Sequence, residues 1–169
     1  MAIKILTQTI KNEVVTLDEA KAHLRINPDD DSEDQLIILP LISAAREYCE
    51  NYTGRAFALQ SITALMDDAG TYTLPRCPVK SIESVTVDGE AVAFVAETRR
   101  GTVTVGEANC LITYTAGGQT PFLVRQAMLL LIGHWYANRE AVVAASTAVP
   151  HEIEIAAQAM LRQYKGWWF

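Results

Sequence analysis

The hydrophobic pattern of this chain changes period twice, at Phe57 and at Thr120. Before Phe57 and after Thr120 apolar residues recur with helical spacing, and between them they alternate. A chain with this pattern is predicted to be α+β: helices from its two ends, and strands from its middle. The expected organisation is a bundle of about four helices carrying a small antiparallel β module. Residues 1–56 supply the first helical part, 57–118 the β module, and 119–169 the second helical part of the same bundle.

The helices are marked by local chemistry. Thr16 and Glu19 form the sequence of a capping box, which predicts a helix from Leu17 to Arg25, stopped by Asn27-Pro28. The acidic run from Asp29 to Asp34 lacks the alternating ligands, the central glycine and the closing glutamate of a calcium loop. It is read as helix capping, with Ser32 and Gln35 as a second box. The helix that follows is expected from about Glu33 to Thr53, with a kink or fresh start at Pro40 and closure at Gly54. Thr120-Pro121 opens a helix to about Tyr136, and Pro150 opens a last helix through Tyr164.

Strands are expected at Ser61–Leu65, Ser81–Val87, Ala91–Val95, Thr102–Val105 and Cys110–Tyr114. Asp88-Gly89 supplies a turn between the second and third. The Leu74–Val79 stretch is an extended connector pinned by Pro75 and Pro78.

Charge and composition exclude several classes of function. The net charge is −6, and the only adjacent basic pair is Arg99-Arg100. Tight nucleic-acid binding draws on many phosphate contacts, and this chain has no matching basic footprint. The longest apolar run, Ala127 to Gly133, is far short of the ~20 residues that span a bilayer. Positions 1–13 lack the apolar centre of a secretory signal. The chain is therefore expected to be soluble and to fold in a reducing cytoplasm. Cys49, Cys77 and Cys110 are then reduced and serve as small packed hydrophobes.

Catalytic and metal-binding motifs are absent from the sequence. His23, His134 and His151 stand in no ligand spacing, and His134 is expected to be a packed, hydrogen-bonded residue. There is no nucleophile elbow and no phosphate-binding glycine loop. The expectation is a non-catalytic protein with no cofactor and no metal. The run from Ala127 to Gly133, with Leu130 at its centre, is apolar on every helical face and must be covered on every face. Either the chain's own core or a neighbouring subunit covers it. The aromatic ending Trp167-Trp168-Phe169 likewise requires a docking site, on the chain itself or on a partner.

Several phrases carry a resemblance. They are Val15–Arg25 (VTLDEAKAHLR), Ala44–Arg55 (AAREYCENYTGR), Leu74–Ile82 (LPRCPVKSI), Tyr114–Gly117 (YTAG) and His134–Val142 (HWYANREAV). In this order and spacing, from Val14 to Tyr164, the chain resembles the phage head–tail connector (adaptor) proteins, in the branch with a β insertion between the helices. The resemblance implies a structural subunit of the virion neck. It implies a homo-oligomeric ring, usually of twelve copies, below the portal protein. Such a ring extends the DNA channel and docks a stopper or tail-completion protein, with DNA only as passing cargo. Arg46, Leu130, Arg139, Trp167, Trp168 and Phe169 are the candidate residues for contact with a neighbouring subunit or the portal. The rival readings are another neck or tail-completion virion protein, and a small-molecule-binding or hydrolytic domain with a cleft between sheet and helices.

Overall fold

The computed structural model describes residues 2–139 and 152–165. The fold is α+β, with four α-helices among the described residues and two antiparallel sheets. Contacts divide the chain into two units. One is built on Gly54–Gln119 together with the stretch up to Asn12, and the other on Glu13–Thr53 together with the stretch from Thr120.

The β unit holds strands β1 (Ile3–Asn12), β2 (Leu59–Met66), β3 (Gly70–Thr73), β4 (Val79–Val87), β5 (Glu90–Ala91), β6 (Phe94–Glu97), β7 (Thr102–Val105) and β8 (Cys110–Ala116). Their order is β1-β2-β8-β4-β5 in a five-stranded sheet and β3-β7-β6 in a three-stranded one. The five expected strand segments all appear, with the third divided between β5 and β6. Two strands were not expected. β1 lies in the first stretch of the chain, where the sequence pattern predicts only the helical part. β3 follows the Asp67-Asp68 turn.

Alternation explains the packing. In β2, Ile62, Ala64 and Met66 are buried while their neighbours are partly exposed. They meet Ile112 and Tyr114 of β8 and Val103 and Val105 of β7, so side chains from both sheets share one core. Polar atoms in this core are satisfied locally. The Tyr114 hydroxyl donates to the Pro75 carbonyl at 2.5 Å, and that of Tyr72 to the Asp68 carbonyl at 2.8 Å. Gly117 sits at φ +79°, and a Cβ there would lie 2.0 Å from the Ala58 carbonyl oxygen. Only glycine allows the backbone to pass so close.

The helical unit holds α1 (Leu17–Leu24), α2 (Leu39–Thr53), α3 (Phe122–Ala137) and α4 (Glu152–Leu161), the last extended by a 3-10 turn at Arg162–Tyr164. The capping box at α1 forms as read. The Glu19 N–H donates to Thr16 Oγ1 at 3.2 Å, and the Thr16 N–H to Glu19 Oε2 at 2.9 Å. α1 ends earlier than the proline predicts, because Arg25 turns left-handed at φ 60° and the Ile26 N–H closes onto the Lys21 carbonyl.

The second expected capping box does not form. The Ser32 hydroxyl and N–H both donate to Asp30 Oδ1, at 2.6 and 3.1 Å, making a local turn instead. The chain then enters a π-helical turn, Asp34–Ile38, that leads straight into α2. Pro40 has no N–H to give the carbonyl four residues back, and its ring crowds that carbonyl. The wider π turn relieves the crowding, so the helical path runs on through Leu39 and Pro40 without a fresh start. Gly54, at φ +71°, closes α2 as expected.

Two ionic clusters are buried in this unit. Lys21 Nζ lies 2.6 Å from Asp34 Oδ2 and donates to the Pro28 carbonyl at 3.2 Å. The side chain of Lys21 is 4% exposed, so this pair is screened from solvent. Arg46 pairs with Glu13 at 2.9 Å and with Glu50 at 3.0 Å.

Candidate assembly interface

α3 packs against α1, α2 and α4, and this accounts for most of its apolar circumference. Ala127, Met128, Leu131 and Ile132 are buried by the chain's own helices, and Leu129 nearly so. Gly133 comes close to α1, where a Cβ would stand 3.2 Å from His23 Nε2. Leu130 is half-buried, the least covered position of the Ala127–Ile132 run. His134 is buried, with its Nδ1 3.3 Å from Asn138 Nδ2, a packed and hydrogen-bonded histidine.

Arg46 is committed within the chain. Its guanidinium bridges Glu13 and Glu50, and its side chain is 10% exposed. Arg139 is exposed at the end of α3. It grips both carboxylate oxygens of Glu33, at 3.0 and 2.8 Å, and lies 4.1 Å from the centre of the Tyr136 ring. The Tyr136 hydroxyl donates to the same carboxylate. The hydrogen bonds from Arg139 and then from Tyr136 hold the Glu33 pKa below its ordinary value. Trp167, Trp168 and Phe169 lie outside the described residues, as do His151 and the stretch 140–150.

A cleft of about 330 Å³ opens beside this cluster, lined by Ile26, Asp30, Glu33 and Tyr136 among others. Hydrogen bonds from Ser32 lower the pKa of Asp30, as Arg139 and Tyr136 do for Glu33. Both carboxylates are thus held ionised, the reverse of the raised pKa a general acid needs near neutrality. Among the described residues no group of three or more His, Cys, Asp or Glu is placed to hold a metal ion. None of the described helices is long and apolar enough to cross a membrane. The three cysteines are unpaired: Cys49 and Cys110 are buried and Cys77 is half-buried.

Large apolar side chains are also exposed at positions that the sequence did not single out. In the helical unit Leu36 is 84% exposed on the π turn, and Phe122 is 73% exposed at the start of α3. In the β unit Phe94 and Val95 are exposed on β6, and Leu6 on β1. Strands β1 and β6 end their sheets, so each leaves one backbone edge unpaired among the described residues. Alternation alone does not reveal such positions: Leu36 and Phe122 lie on helical turns, and β6 is exposed at all four of its residues.

Comparison with known proteins supplies the family. No curated protein sequence matches the chain. Among the solved structures that share the fold are two from gene transfer agent particles. One is from the neck of an empty gene transfer agent particle computed with C6 symmetry, at TM-score 0.73, 19% identity, and coverage of 100% of this chain and 97% of the other. The second is from the virion of a native gene transfer agent particle, at TM-score 0.70, 19% identity and the same coverage. The model of the phage gp6-like head-tail connector protein family matches residues 14–165, nearly the whole chain. The chain belongs to the phage gp6-like head-tail connector family.

Proposed function

We propose that this chain is a structural subunit of a phage or prophage head–tail connector, working by shape and surface rather than by catalysis. In this reading copies of the chain form a ring in the virion neck, below the portal protein. The ring continues the DNA channel and offers its far side to a stopper or tail-completion protein. The family match across residues 14–165 carries the reading. The fold shared with a neck structure computed with C6 symmetry supports it, since a sixfold axis accommodates a ring of six or of twelve copies. Half-buried Leu130, exposed Arg139 and the aromatic ending Trp167-Trp168-Phe169 are proposed contacts with a neighbouring subunit or the portal. Arg46 is proposed to act indirectly, by fixing α2 against Glu13.

Disrupting the gene in its phage or prophage tests the reading. The expected result is DNA-filled heads and complete tails that fail to join, with joining restored by the intact gene. Normal tailed particles without the protein would overturn it.

A further inference from the structure

The outer face of the five-stranded sheet is an array of hydroxyls. Residues directly opposite each other in an antiparallel sheet share a face. Thr7 of β1 pairs with Thr63 of β2, Thr63 with Thr113 of β8, and Thr113 with Ser84 of β4. In the next row Thr9 pairs with Ser61, Ser61 with Thr115, and Thr115 with Ser81. Two rows of four hydroxyl side chains thus cross four strands. Their width is roughly 14 Å at the usual strand spacing. Thr63 and Thr113 bond to each other at 3.2 Å, and Thr115 donates to Glu83. The opposite face of the same strands carries Ile62, Ala64, Ile112 and Tyr114, which fill the core. Thr7, Thr9, Ser81 and Ser84 are exposed, and Ser61, Thr63 and Thr113 half-buried, so the array meets solvent.

Its charge sets it apart from the rest of a chain at −6. Lys11 lies 3.9 Å from Glu83, a pair that is neutral as a whole. Lys4 stands in the adjoining row through its pairing with Leu65, and it leaves the face slightly positive. The two rows hold no aromatic residue, methionine or arginine, the usual anchors of a protein interface, where Ser and Thr are under-represented. A tight grip on nucleic acid would need a cluster of Lys and Arg, which is absent here. Hydroxyls instead exchange single hydrogen bonds with phosphate oxygens and with water, and they carry no fixed charge. That chemistry suits a polyanion that passes without being held.

We propose that this face lines the channel of the ring and is the surface along which duplex DNA slides. The inference rests on the proposed ring, and it names the wall of its channel. Salt screens charges beyond roughly 8 Å at physiological strength. DNA in the channel therefore senses the wall beside it, while remote acids such as Asp29 and Asp31 are damped. A chain that is acidic overall offers DNA the easiest passage along its least acidic face.

The test uses particles assembled with the full-length chain, and it reads the rate of DNA release triggered in vitro. T7K/T9K/S84K puts three lysines per copy on the face. D29N/D31N/D88N shifts the net charge by the same amount at exposed positions away from it. Thermal melts confirm that both variants remain folded. Particles with the lysine variant are expected to release DNA ~10-fold more slowly or worse, with the difference shrinking as salt rises. Particles with the control variant are expected to release it at the normal rate. Normal release from particles shown to contain the lysine variant would overturn this face as the channel wall and leave the connector standing. Heads that carry the lysine variant but fail to join tails would assign the face to a protein partner and overturn the proposal as well. Absence of the unmodified chain from finished particles would overturn the connector reading, and this inference with it.

Discussion

At the scale of single residues, the helical unit depends on charges taken out of water and given partners. Arg46 holds Glu50, whose side chain is 1% exposed, and Glu13. Removing one partner from a buried ion pair leaves the other uncompensated. Arg46→Ala is therefore expected to lower stability by about 3–5 kcal/mol, read from urea unfolding. The Glu33 cluster behaves differently because it is exposed. Its folded pKa lies below the ordinary 4.5, so its contribution is present above about that pH and fades as pH falls through the lowered value. Arg139→Ala is expected to bring the Glu33 pKa back toward 4.5, and a carboxyl-carbon NMR titration checks this. An unchanged titration would mean that the guanidinium does not hold this carboxylate. The i,i+4 spacing of Arg46 and Glu50 is legible on the expected helix, but the long-range partners in both clusters are not. Glu33 and Arg139 are 106 positions apart, and nothing local in either stretch announces the other.

At the scale of elements, local chemistry predicted best where a side chain satisfies the backbone beside it. The Thr16–Glu19 box is the clearest instance, and Thr16→Ala is expected to cost about 1 kcal/mol in a thermal or urea melt. Ser32 carried a similar signature and did something else, because Asp30 offered its hydroxyl and N–H a nearer acceptor. β1 escaped notice for a different reason. Its sequence, IKILTQTIKN, alternates poorly, since register shifts interrupt it and one edge meets no strand. β3 was hidden by its position directly after a turn. Gly117 carries a strict conformational duty that nothing in its neighbouring sequence announces. Gly117→Ala would drive a methyl group into the Ala58 carbonyl and hold a left-handed φ. Loss of more than ~2 kcal/mol, or failure to fold, is expected on expression and melting.

At the scale of the whole molecule, the double change of hydrophobic period correctly announced an α+β chain, and the phrases spread from Val14 to Tyr164 announced the family. The surface that would join copies was less legible. The sequence drew attention to the apolar run of α3, yet α1, α2 and α4 cover most of it. Coverage depends on which helices meet, and composition is silent about that. The open edges of β1 and β6 emerged only once the strand order was known. With a net charge of −6, identical copies repel at long range, so ring assembly is expected to strengthen as salt rises to physiological levels. Light scattering across a salt series checks this. Weaker assembly throughout that range would contradict this expectation. The central claim concerns position in the particle, and electron cryo-microscopy of assembled particles tests it most directly. The account predicts a ring of this fold between portal and tail. Neck density that cannot hold this fold, or labelled protein found elsewhere in the particle, would contradict it.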